Sequence, residues 1–139
     1  MKQGDFLKFK GTHYICFDDY NGKFLGIDLE SNNSYQVVYG DEKPTILLDS
    51  IEVKKYCSKL IRGFDFISKV NIGDYVLFKD GNIFEGIVYR VDCEKFDTTG
   101  DDWNRYYPSE ISKCKCVIPS NILLELLIYI YNNKNLLKS

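Results

Sequence analysis

Apolar and polar residues alternate with a period of two along most of the chain. FLKF, YICF, KFLGIDL and SYQVVY in the first half, and YVLF, IFEGIVYRV and CKCVI in the second, are short runs rich in β-branched and aromatic residues. Such runs suit a pleated surface with one buried face, so they predict strands. Asn21-Gly22 separates YICFDDY from KFLGIDL, and Asp80-Gly81 separates YVLFK from NIFEGIVYRV. These pairs supply the positive φ that two-residue hairpin turns require.

The pattern is also duplicated. Gly4-Asp5-Phe6-Leu7-Lys8-Phe9-Lys10 aligns with Gly73-Asp74-Tyr75-Val76-Leu77-Phe78-Lys79, and Gly11 and Gly81 follow. Ile46-Leu47-Leu48-Asp49-Ser50-Ile51-Glu52-Val53 aligns with Cys116-Val117-Ile118-Pro119-Ser120-Asn121-Ile122-Leu123. A repeat of roughly 70 residues is too long for a solenoid unit, so each copy is expected to be a small domain. The expected organisation is a first barrel over 1–60, a linker over 61–71 and a second barrel over 72–139 that carries the apolar C-terminal segment.

The tail PSNILLELLIYIYNN fits two elements. As a helix it has Ser120 or Asn121 available to accept hydrogen bonds from the first free N–H groups, with Leu and Ile nearly all round. As a strand, LIYIY alternates, and the matching segment IEVKKY is read as strand-like. A turn followed by a helix is the preferred reading. Either way residues 122–131 are too apolar for water, since a fully buried Leu or Ile gains about 1.5–3 kcal/mol. They are expected to dock across both copies or to form a homodimer contact.

The second half resembles a Src-homology-three-like barrel, a superfamily that includes Tudor-like and KOW-like modules. The residues that carry the likeness are IGDYVLF, IFEGIVYRV and CVIPSNILLEL, with Pro119-Ser120-Asn121 as the turn before the last element. It covers residues 72–126, and residues 3–56 more faintly. The resemblance implies a mainly β chain of two tandem barrels whose loop aromatics line a ligand groove or cage a methylated cation. The opening Ala-Leu-Tyr-Asp-Tyr stretch of the peptide-binding branch is missing, so recognition of proline motifs is not expected.

Composition narrows the function further. A formal charge of −2 over 139 residues argues against the broad basic footprint of a nucleic-acid binder. The first residues enter the strand pattern at once, and ILLELLIYIY is interrupted by Glu125, so neither a secretory signal nor a membrane span is expected. A cytoplasmic protein with reduced cysteines follows. Alanine is absent and Lys outnumbers Arg about five to one, preferences that follow AT-rich codons and point to a low-GC bacterium or one of its phages.

Reactive groups are few. His13 is the sole histidine and reads as a half-exposed strand residue, because residues i and i+3 of a strand point to opposite faces and Cys16 would face away from it. Cys114 and Cys116 alternate, which would put both thiols on one face, with Cys93 as a third zinc ligand. The two-residue spacer of zinc sites is missing, and no metal or cofactor is expected. Asp18-Asp19 and Asp101-Asp102 read as loop carboxylates.

Aromatic residues make up 15% of the chain, more than two small cores can bury, and several lie in polar stretches: Tyr20 in DDYNG, and Trp103, Tyr106 and Tyr107 in GDDWNRYYPSE. The expectation is a non-catalytic interaction protein. Tyr20, Trp103, Tyr106 and Tyr107 would dock a protein partner, and Asp101 and Asp102 would steer a basic one. With the AT-rich composition, a phage or mobile-element inhibitor of a host factor, for example a defence nuclease, fits this pattern. The alternatives are nucleic-acid binding through Lys54, Lys55, Lys59, Arg62, Lys113 and Lys115, and a sponge for a small nucleotide.

Overall fold

The computed structural model describes residues 1–61, 70–80, 82–91, 96–98, 105–106 and 114–135, with side chains at 1–61, 70–77, 85–89 and 117–135. The first half forms β1 (Phe6–Phe9), β2 (Thr12–Tyr20), β3 (Lys23–Asp28), β4 (Asn33–Val38) and β5 (Thr45–Leu48), then helix α1 (Ser50–Leu60). The second repeats the plan with β6 (Tyr75–Asp80), β7 (Asn82–Val91), β8 (Phe96–Thr98), β9 (Arg105–Tyr106), β10 (Cys114–Ile118) and α2 (Ser120–Asn133). Sheet order is β4-β3-β2-β1-β5 in one copy and β9-β8-β7-β6-β10 in the other, antiparallel throughout.

In both sheets the fifth strand returns beside the first, the step by which a meander begins to curl into a barrel. No pairing among the described residues joins β4 to β5 or β9 to β10, so no closed barrel is found. The chain is therefore strand-rich α/β with two helices among the described residues, where the sequence suggested a mainly β chain of two tandem small barrels.

The repeated spelling of the two Gly-Asp pairs has a single structural cause. Gly4 (φ +95°) donates to Cys16 C=O at 2.7 Å, and Gly73 (φ +92°) donates to Val88 C=O at 2.8 Å. A Cβ at Gly4 would lie 3.1 Å from Ser50 Cβ, and one at Gly73 would lie 3.0 Å from Ser120 Cβ. The next residue is a buried aspartate in each case. Asp5 accepts N–H bonds from Lys2 (2.8 Å) and Ser50 (2.7 Å), and Asp74 accepts them from Asn71 (2.8 Å) and Ser120 (2.9 Å). Each carboxylate thus ties the entry to its first strand to the start of its helix, where free N–H groups favour an anion.

IEVKKY is helical, against the strand expected for it. Asp49 caps α1 by accepting the Glu52 N–H at 2.8 Å, and Glu52 stands in the first turn, the acidic three-residue spacing of a capping box. Val53, Cys57 and Ile61 then recur at helical spacing and are buried. The tail is the expected helix, but its N-cap is Pro119, with no side-chain cap from Ser120 or Asn121. Asp74 takes that role from the neighbouring strand entry.

One core serves both copies. Phe6, Ile15, Ile27, Leu48, Val53 and Cys57 from the first half cluster with Tyr75, Leu77, Ile87, Ile118, Leu123 and Leu127 from the second. The helices cross between copies: α1 contacts β7, and α2 contacts β5. Residues 122–131 thus dock across both copies through Leu123, Leu127 and Ile130.

A duplicated β-bulge lies at the seam. The β2–β3 register shifts between Cys16 and Asp18, and the β7–β8 register shifts between Val88 and Arg90. The extra residues are Phe17 and Tyr89. Their rings stack face to face, with centroids 3.7 Å apart and planes 5° apart. Bulges re-aim side chains, and equivalent residues meeting each other is the signature of a two-fold relation. The repeat is therefore also a spatial pseudo-symmetry.

Candidate interaction surface

The β2–β3 hairpin tip carries a tyrosine–aspartate pair on each face. After the bulge, Asp18 pairs with Leu25 and Asp19 with Phe24, so the two carboxylates fall on opposite faces. On one face the Asp18 carboxylate beside Tyr20 raises the phenol pKa, and Tyr20 is 45% exposed. On the other face the Tyr39 hydroxyl donates to Asp19 Oδ1 at 2.9 Å, with the same upward effect on its pKa. The N-terminal amine lies 3.5 Å from Asp19 Oδ2. The tip therefore presents the Tyr20 ring beside a carboxylate, while the half-buried Tyr39, its hydroxyl held by Asp19, packs on Phe24 beneath the other face. Tyr39 follows the last residue of β4, and Gly22, at φ +80°, supplies the positive φ expected of Asn21-Gly22.

A cluster that the sequence did not suggest joins α1 to the second sheet. Glu85 Oε2 accepts hydrogen bonds from the Ser58 hydroxyl and, at 3.2 Å, from the Tyr75 hydroxyl. Burial pushes the adjacent Cys57 thiol up to about 12 and raises the Tyr75 phenol as well. A thiol so disposed stays protonated and is a poor nucleophile. The cluster acts as a polar clamp between the copies. Glu85→Ala is expected to cost about 1–3 kcal/mol, because it strands two hydroxyls that are part-buried; denaturant midpoints measure it, and an unchanged midpoint would remove the clamp.

The remaining sequence-predicted residues lie partly outside the described ones. Lys54, Lys55 and Lys59 are exposed on α1, with the Lys55 ammonium 5.6 Å from the Tyr56 ring centroid. Arg62, Cys93, Asp101, Asp102, Trp103, Tyr107 and Lys113 lie outside the described residues. Tyr106 is placed in β9 and Lys115 in β10 by backbone alone. The β10–β6 register shifts between Cys114 and Cys116, so the unbroken alternation that put both thiols on one face does not hold there.

His13 stacks on Phe6 at 5.5 Å and lies 3.7 Å from Glu30. Cys16 belongs to a separate small cluster with Leu7 and Phe24, where burial pushes its thiol up to about 12. Among the described residues no group of His, Cys, Asp and Glu is arranged to hold a metal, and no helix is long and apolar enough to cross a membrane. On α2, Tyr129 and Tyr131 are exposed.

The Asp49-to-Glu52 spacing was the available signal for α1. The Ser58–Glu85 contact had no local signal, since it joins a helix of one copy to a strand of the other. Comparison with protein-family models, curated proteins and solved structures finds no match to this chain.

Proposed function

We propose that the chain is a non-catalytic interaction protein that binds a macromolecular partner, a protein with a basic surface, through aromatic residues at its hairpin tips. The observation that carries the reading is the exposed Tyr20 ring beside the Asp18 carboxylate at the end of β2. Rigid rings lose little freedom on binding, and flanking carboxylates attract cations. Asp101, Asp102 and Trp103 fall in the sequence between β8 and β9, with Tyr106 in β9 and Tyr107 after it; they make a second aromatic and acidic group, at the step that matches β3–β4 and not the β2–β3 tip. Each copy is read as a partly opened barrel of the Src-homology-three-like kind, which the return of the fifth strand to the first supports. The AT-rich composition supports a phage or mobile-element inhibitor of a host factor.

Affinity capture from a low-GC bacterial lysate, with and without nuclease, tests this reading. Tyr20→Ala and Trp103→Ala are each expected to reduce the captured protein at least about tenfold with no shift in the unfolding midpoint. Undiminished capture by both variants would overturn it.

A second reading, nucleic-acid binding, is favoured by the exposure of Lys54, Lys55 and Lys59 on one helix. It requires affinity for DNA or RNA that falls steeply with salt. Loss of capture after nuclease treatment would select it.

A further inference from the structure

Among the described residues four sheet edges end the two copies, and three of them carry devices that block strand addition. β5 is short, follows buried Pro44, shifts register against β1 and contacts α2. β9 has two residues. β10 shifts register against β6 and carries Lys115. β4 has none of these features. Its six residues, NSYQVV, include no charge, proline or glycine, and its register with β3 is unbroken from Asn33 to Val38. Among the described residues nothing pairs with its outer side. Tyr35 is 45% and Val38 70% exposed.

The hydrogen-bond phase of this edge is fixed. Tyr39 N–H donates to Gly22 C=O at 2.8 Å. Bonding in an antiparallel ladder alternates, so residues 33, 35 and 37 face β3 while Ser34, Gln36 and Val38 turn their N–H and C=O groups outward. Acidic residues Asp28 and Glu30 lie before the strand, while Asp41 and Glu42 after it are balanced by Lys43 and by the exposed Lys23, which pairs with Val38, so the net negative charge sits at the Asn33 end.

We propose that β4 is a docking edge for an extended segment of a partner protein, which adds as a sixth strand and carries Lys or Arg at the end that meets Asp28 and Glu30. Main-chain bonds to Ser34, Gln36 and Val38 hold the segment, and Tyr35 meets its side chains on one face. This inference rests on the reading of the chain as an interaction protein and assigns that role a separate surface.

The test titrates the full chain, labelled with ¹⁵N, with a peptide of alternating valine and threonine bearing two lysines at each end. A glutamate-ended counterpart serves as the control. Saturable shifts and slowed hydrogen exchange at Ser34, Gln36 and Val38 are expected with the lysine peptide, with at least about tenfold weaker binding of the glutamate peptide. Gln36→Pro removes an outward N–H and leaves the bonds to β3, and Val38→Lys installs an edge charge; each is expected to weaken binding about tenfold or more. Tyr20→Ala should leave the peptide affinity unchanged, so failure of the hairpin-tip reading is seen separately from failure of this one. No shift up to millimolar peptide, binding that ignores both edge variants, or sedimentation as a dimer protected at the same amides would each overturn the proposal.

Discussion

Replacing Leu127 with alanine is expected to destabilise the whole chain by about 2–5 kcal/mol, the range for deleting a fully buried Leu side chain. Leu127 is 0% exposed and belongs to the core cluster that draws on both sheets, and α2 reaches β5 of the other copy. The cavity therefore forms at the junction, and both copies should lose stability together in a single transition. Tyr129→Ala, two residues along and 59% exposed, is expected to change stability by no more than about 0.5 kcal/mol. Urea unfolding followed by circular dichroism and by tyrosine fluorescence measures both variants. Two separate transitions in wild type, with Leu127→Ala shifting one alone, would contradict a shared core.

Asp74→Ala should cost about 2–4 kcal/mol, from two backbone N–H bonds to a buried carboxylate and the donors left behind. Asp5→Ala should cost less, although Asp5 makes the equivalent bonds. The difference lies at the helix starts: α1 keeps its Asp49 cap, whereas Pro119 provides α2 with none. Equal losses would refute that account.

The Asp74 effect should also depend on pH. Desolvation raises its carboxyl above the usual value, against the two N–H donors that lower it. A carboxyl whose folded pKa exceeds its unfolded one contributes most below the unfolded pKa, and that contribution is lost as pH rises through the folded value. The gap between wild type and Asp74→Ala should therefore widen from neutral pH to about pH 4. A gap that narrows would mean that the N–H donors outweigh burial.

Part of the candidate site could be read from the residues alone. Tyr20 in DDYNG was recognisable as a wet aromatic next to a turn, and it is exposed beside Asp18. Tyr39 joins the same tip, and no local pattern announces that, because a contact between Tyr39 and Asp19 depends on β4 returning alongside β3. The same reason hides the open edge of β4. Its residues look like those of any strand, and exposure depends on which neighbours the sheet supplies.

The order of residues along the chain dictates the strands, the hairpins and the duplication, since alternation, turn glycines and the repeated Gly-Asp pair are local features that act within a few residues. Folding in three dimensions settles what the local pattern leaves open. α1 becomes a helix because its Val53, Cys57 and Ile61 stripe finds the other copy's strand to cover it. Phe17 and Tyr89 meet because two bulges turn them to a common axis, and Glu85 holds Ser58 because α1 reaches β7 of the other copy. These contacts link positions tens of residues apart, where propensity has no reach and the burial of shared apolar surface selects the partner.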